Sequence, residues 1–239
     1  MHNNILSLSK LSVEEGEVIL INKEKNWTSF DVVKKIKNLI KERFNIKKIK
    51  VGHAGTLDPL ATGLLIICTG KFTKRISEIQ ELHKTYSGEI TLGGKTPSFD
   101  LETEIDQKFD LNGITKDQVY NVSKEFLGEI SQKPPLFSAI KVKGERLYKK
   151  ARRGEKVNIK KREITIYSFE ITKINLPKIG FIINCSKGTY IRSIANDFGL
   201  KLKNGGYLSE LTREKIGNYS LKDSLTISEF EKNLMRDIS

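Results

Sequence analysis

Gly52-His-Ala-Gly-Thr-Leu-Asp58-Pro-Leu-Ala-Thr-Gly63-Leu-Leu-Ile-Ile-Cys68 is the stretch from which the rest of the chain is most readily understood. Its second half, Leu64–Cys68, is a short apolar run closed by Gly63 and Gly70, which predicts an interior strand. Its first half is punctuated by Gly52, Gly55, Pro59 and Gly63, which predicts a loop over 52–63. Glycines let a backbone come close to a ligand. Pro59 biases Asp58 towards an extended conformation and stiffens the turn. Asp58 therefore sits on a loop carried by a buried strand, a common placement for a reactive group. Its carboxylate is suited to act as nucleophile or general base, or simply to fix an Asp-Pro turn. The residues alone leave both readings open.

Working outward, Glu17–Ile21 reads as a buried strand. Thr28-Ser-Phe-Asp31 matches a capping box with Asp in the place of the usual Glu. Behind it Val32, Val33, Ile36, Leu39 and Ile40 repeat at helical spacing, leaving Lys34, Lys35, Lys37 and Lys41 on the wet side. Lys84–Leu92 alternates as a strand and ends at Gly93-Gly94. Residues 95–112 are acidic and polar, an expected exposed loop. Thr115–Phe126 carries a helical stripe, Lys133-Pro134-Pro135 breaks the chain, and Leu147–Arg153 forms a short basic helix. Ile164–Ile174 and Phe181–Cys185 are strand-like, Ile191–Leu202 is helical in period, and Thr226 with Glu229 caps a last helix. The fold class expected is α+β, with a mixed, largely antiparallel sheet. The domain reading is a leader over 1–15, one catalytic domain over 16–220 and a short C-terminal helix or tail over 221–239.

The chain has 239 residues and a formal net charge of +13. The charge is clustered. Residues 33–50 hold eight Lys or Arg against one acid, and residues 141–162 hold eleven against two. Two such stripes suit a polyanion better than a merely solvated surface does. Cys68 and Cys185 lie far apart in apolar runs and read as buried reduced thiols. With no Cys-x-x-Cys pair and three scattered histidines, a zinc site is not expected. Gly63 and Gly70-Lys71 do not make a Walker loop, since six residues separate the glycines and Phe72 follows the lysine. No strand–GxGxxG–helix unit points to a dinucleotide cofactor. The strongest apolar run is too short for a bilayer, so no membrane is expected and the compartment should be cytoplasmic. No exposed apolar stripe demands a partner copy, so a monomer is expected.

His53-Ala-Gly-Thr-Leu-Asp58-Pro-Leu-Ala-Thr-Gly63 resembles, almost letter for letter, the signature loop of TruB-type tRNA pseudouridine synthases. Further matches follow in the family's order. They are Asn26-Trp27-Thr-Ser-Phe-Asp31; Lys84-Thr-Tyr86 with Leu92-Gly93; Gln132-Lys-Pro-Pro135-Leu-Phe-Ser-Ala139-Ile-Lys141 with Gly144, Tyr148 and Ala151-Arg152; Cys185-Ser-Lys-Gly-Thr-Tyr190-Ile-Arg192, similar to an Arg-bearing strand; and Leu208–Arg213. The resemblance covers roughly residues 17–220. Departures are Asn22-Lys23-Glu24 where the family has Asp-Lys-Pro, and Asn26 where it has Gly, which puts the entry to the first helix in doubt. Most bacterial members also continue into a small RNA-binding PUA domain, for which the residues after Ser220 are too few.

The resemblance implies the pseudouridine synthase fold, and isomerisation of uridine in the tRNA T-loop (position 55) after base flipping, with no metal, redox or nucleotide cofactor. It implies Asp58 as the covalent catalyst at ribose C1′ or uracil C6. Arg192 would be its charge partner, and Tyr86 would stack on the uracil. Tyr190, on the face of Arg192 if that stretch is extended, and Leu211 would line the pocket. His53 would fill the gap left by the flipped nucleotide. The basic stripes would hold the T-arm backbone, with Lys141 and Arg152 as phosphate contacts. A non-catalytic RNA-binding protein or RNA chaperone on the same fold is the alternative, and the charge pattern alone fits it equally well. Another RNA-modifying enzyme, such as a methyltransferase, lacks its glycine-rich cofactor loop.

Overall fold

The computed structural model describes residues 12–236 apart from Glu14, Lys143 and Lys156. In chain order the elements are β1 (Val18–Lys23), α1 (Ser29–Arg43), β2 (Val51–His53), β3 (Thr62–Thr69), a 3-10 turn (Gly70–Arg75), α2 (Ile76–Glu81), β4 (Lys84–Leu92), β5 (Gly94–Lys95), β6 (Gln107–Lys108), α3 (Lys116–Lys124) and β7 (Gly128–Gln132). There follow β8 (Lys141–Val142), β9 (Glu145–Arg146), α4 (Leu147–Arg152), β10 (Arg162–Asn175), β11 (Lys178–Cys185), α5 (Ile191–Lys201), β12 (Gly206–Ile216), β13 (Tyr219–Ser220), a second 3-10 turn (Leu221–Asp223) and α6 (Ile227–Met235). The chain forms two compact units. One takes in the described residues up to Lys84 and from Thr212 onward, the other Thr85–Leu211.

In the first unit β3 is the central strand. It runs antiparallel to β1, pairing Val18 with Cys68 and Lys23 with Gly63, and antiparallel to β2. It pairs in parallel with β12 at Thr62–Thr212 and Gly63–Arg213. The alternation in β1 buries Ile19, Ile21 and Lys23 on one face. The apolar stripe of α1 packs there with α6. Thr28 and Asp31 close the capping box in both directions, so Asp serves where Glu is usual. Thr226 and Glu229 do the same for α6. Most of the 1–15 leader lies outside the described residues. At its end Glu15 receives the Lys71 N–H at 3.0 Å and pairs with the Lys71 ammonium at 2.6 Å.

In the second unit the strand order is β12-β4-β11-β10-β7, with β10–β11 a long antiparallel hairpin and β7 antiparallel to β10. Helices α3 and α5 contribute Val119, Val122, Ile194 and Phe198 to a core closed by Phe126, Phe169 and Phe181. With the parallel β3–β12 pair beside antiparallel ladders, the architecture is the expected α+β with a mixed, largely antiparallel sheet.

Three local expectations need correction. Gly52 and His53, expected at the start of the loop, belong to β2. The stretch 95–112 is not wholly exposed, because Thr96, Ser98 and Asp100 are buried. The hydroxyls of Thr96 and Ser98 donate back to the Asp100 carbonyl at 2.7 and 3.2 Å, which folds the polar groups inward. The third concerns Arg192. It lies in the first turn of α5, not on a strand, since β11 ends at Cys185. At about 100° per residue, positions two apart on a helix point to nearly opposite sides. Tyr190, the N-cap residue, therefore does not share a face with Arg192.

Candidate active site

The loop bearing Asp58 is held from beneath by backbone carbonyls bonded to buried donors. Arg213 is 1% exposed. Its guanidinium donates to the carbonyls of Leu64 at 2.8 Å, Gly55 at 3.0 Å and Thr56 at 3.4 Å. Lys23, fully buried, donates to the carbonyls of Trp27 at 2.8 Å, Glu24 at 3.0 Å and Pro59 at 3.3 Å. The Ser29 hydroxyl, at the first residue of α1, donates to the Leu57 carbonyl and accepts the Leu57 N–H. The Asp58 carbonyl accepts the Ala61 N–H at 3.1 Å, closing a turn around Pro59. Gly63 takes a φ of +103°, and a Cβ there would stand 2.5 Å from the Arg213 carbonyl. The close pairing of β3 with β12 therefore requires glycine at this position.

Two of these cations set the electrostatics. Burial lowers the Lys23 pKa to about 8, with the Asp58 charge opposing that shift and Arg213 adding to it. Lys23 and Asp58 thus stabilise one another's charged forms. Burial first, and then the Arg213 charge, hold the His53 imidazole below the usual histidine range, with the Gly55 backbone pulling the other way. His53 is consequently uncharged at neutral pH, which suits stacking. Asn26 adopts φ +69°, the left-handed region that Asn tolerates, and its N–H reaches the Pro59 carbonyl at 2.8 Å. The Asn-for-Gly departure is accommodated and ties the helix entry to the Asp58 loop.

In the second unit Arg192 is 3% exposed. Its guanidinium lies 3.6 Å from the Asp100 carboxylate and donates to the carbonyls of Phe137 at 2.9 Å and Ser98 at 3.3 Å. Tyr190 exchanges two backbone hydrogen bonds with the Gln132 side chain, and its ring lies beneath the Arg162 guanidinium at 5.1 Å. Tyr86 on β4 and Leu211 on β12 are half-buried and pack against the unit's core. Lys141 is exposed. Arg152 pairs with Glu102 at 3.1 Å and lies over the Tyr148 ring. Around it Lys150 and Arg153 are bridged by Glu145 and Glu155. Each unit thus gathers its share of the expected residues: Asp58 and His53 in the first, Tyr86, Tyr190, Arg192 and Leu211 in the second. Cys68 and Cys185 are both buried, as expected. Among the described residues, no group of three or more His, Cys, Asp or Glu is placed to hold a metal ion. None of their helices is long and apolar enough to cross a membrane.

The sequence reading missed Lys23 and Arg213 as loop supports, and Asp100 as a partner of Arg192. Lys23 carried a signal, since it falls in phase with Ile19 and Ile21 on a strand of period two. A cation on the buried face of a strand needs several acceptors.

The family model described as TruB family pseudouridylate synthase (N terminal domain) matches residues 41–191. This chain belongs to the TruB family. A tRNA pseudouridine synthase B from Flavobacterium johnsoniae is 55% identical, over 92% of this chain and 96% of the relative. One from Phocaeicola vulgatus is 49% identical, over 92% and 94%. Among solved structures, a chain from an H/ACA RNP bound to a substrate RNA containing 2′-deoxyuridine matches with a TM-score of 0.65 and 26% identity. That match covers 92% of this TruB-family chain but only 53% of the solved chain.

Proposed function

We propose that this protein isomerises uridine to pseudouridine in tRNA, with the T-loop uridine at position 55 as its target and Asp58 as the covalent catalyst. The observation that carries the proposal is the Asp58 loop itself, whose signature is intact and whose backbone is fixed by two buried cations and a buried serine. Membership of the TruB family and the names of its relatives support the reaction class. The uridine is flipped out of its stack. Asp58 attacks at C1′ or C6, the N1–C1′ link breaks, the base turns and C5 bonds to C1′; the bond to Asp58 is released, C5 gives its proton to water and N1 takes one up. Arg192 serves as the charge partner that keeps Asp58 ionised and oriented. Tyr86 stacks on the uracil, Tyr190 and Leu211 line its pocket, and neutral His53 takes the place of the extruded nucleotide. Lys141 and Arg152 contact phosphates, which requires Arg152 to exchange Glu102 for RNA. No cofactor takes part, and the protein works as a monomer in the cytoplasm.

The test is tritium release from [5-³H]uridine in a T-arm stem-loop, without added cofactor. The wild type should release tritium, and Asp58→Asn should abolish release while RNA binding persists. Release that survives the substitution would overturn the role of Asp58. Tight binding without release by the wild type would favour the non-catalytic RNA-binding reading.

A further inference from the structure

α1 has a feature that the Asp58 chemistry does not use. Phe30, its second residue, is 70% exposed. A single exposed apolar side chain is ordinary. The company Phe30 keeps is not. At 3.6 residues per turn, Phe30, Lys34, Lys37 and Lys41 fall within about 60° of one another, in a stripe roughly 16 Å long. The buried residues Val32, Val33, Ile36, Leu39 and Ile40 lie on the other side. Lys34 and Lys37 are exposed and Lys41 is partly so, and none of the three has an ion-pair partner among the described residues.

Three of the four acids on α1 and α6 are committed elsewhere, Glu42 beside Lys41 being the fourth. The Asp31 carboxylate, close enough to feel the Lys34 charge, accepts from the Thr28 backbone and hydroxyl in the cap. Glu231 of α6 pairs with Lys35 at 3.1 Å, and Glu229 caps α6. The stripe also has a fixed starting point. Ser29, one residue before Phe30, is bonded to Leu57, one residue before Asp58.

We propose that this face of α1 is an RNA track, with Phe30 as a stacking platform for an unpaired base and Lys34, Lys37 and Lys41 as contacts to successive phosphates. It rests on the tRNA reading above and extends it to a surface leading away from the Asp58 loop. An aromatic platform beside unneutralised cations is the arrangement by which proteins hold single-stranded or unstacked nucleic acid.

The experiment measures affinity of the full chain for a T-arm stem-loop and for a full-length tRNA transcript across a salt series, alongside tritium release. Combined Lys34→Gln, Lys37→Gln and Lys41→Gln should reduce the slope of log K against log salt by roughly 2 to 3, since each phosphate contact contributes about 0.7 to 0.9. KM should rise while kcat at saturating RNA stays near wild type. Phe30→Leu, which keeps an apolar side chain without a ring face, should weaken binding about tenfold, and Phe30→Trp should restore it. Wild-type affinity and slope in both the lysine and the Phe30→Leu variants would overturn the proposal and leave the stripe to an acidic protein surface. The two readings fail separately: absent tritium release by the wild type strikes the tRNA isomerisation, whereas unchanged binding in these variants strikes only the track.

Discussion

The Asp58 loop between β2 and β3, and the part of the second basic stripe that precedes β10, residues 141–161, have little regular structure, yet they are built in opposite ways. The first is fastened by donors that are themselves buried: Arg213, Lys23 and the Ser29 hydroxyl. Each serves backbone carbonyls or the Leu57 amide, in surroundings where a lost partner is costly. In the second, two-residue strands and a short helix are linked by exposed or half-exposed ion pairs among Glu145, Lys150, Arg153 and Glu155. Such pairs contribute little each and are screened by salt. Positioning an attacking carboxylate requires a fixed geometry, whereas gripping a phosphate backbone tolerates rearrangement. The distribution of burial is the one that the roles proposed for the two regions would require.

The comparison can be broken most sharply at Arg213. Arg213→Met keeps much of the volume but leaves the carbonyls of Leu64, Gly55 and Thr56, the first of them buried, without their guanidinium donor. Unfolding in urea should show a loss of about 3 kcal/mol or more, and tritium release should fall with it. A loss under 1 kcal/mol would mean that the loop does not depend on its buried cation. Gly63→Ala should cost about 2 to 3 kcal/mol, because a side chain must adopt a positive φ and displace the Arg213 backbone. Thermal melting would register this, and an unchanged Tm would contradict the close approach of β3 and β12.

Lys23 gives a pH signature. Its folded pKa of about 8 lies below its ordinary 10.5. Between these values the unfolded chain binds more protons than the folded one, so stability rises with pH. Cys68, raised by burial from 9.0 to about 11, acts in the opposite sense above pH 9. The cleanest window is therefore pH 8 to 9. There the stability of the wild type should climb relative to Lys23→Met, and parallel curves would remove Lys23 as a buried titrating group. The smallest effect belongs to the basic stretch. Glu145→Gln should change stability by less than about 1 kcal/mol while slightly tightening RNA binding, since it leaves Lys150 and Arg153 with Glu155 in place of two carboxylates. A loss of several kcal/mol would erase the contrast between the two regions.

Periodic elements were legible residue by residue. The caps at Thr28 and Thr226, the stripe of α1, and strands β3, β4 and β10 all stand close to where their patterns place them. β7 was not legible. Its sequence, Gly-Glu-Ile-Ser-Gln, has weak strand character, and it is a strand because β10 offers it a ladder. Arg192 was legible in two ways that disagreed: the helical period over Ile191–Leu202 took it in, the likeness of Cys185–Arg192 to an Arg-bearing strand did not, and the helix is what forms.

The sequence by itself determined where the glycine-rich Asp58 loop lies, which family that loop resembles and where the cationic stripes run. These are local patterns, and local pattern is written in chain order. Only the tertiary structure decided that Lys23 and Arg213 are loop supports rather than surface cations, and that Asp100 is buried beside Arg192. Burial of a charge depends on what packs above it and on how many acceptors converge from distant parts of the chain. A strand's alternation sets the phase of a side chain, but not whether water reaches it.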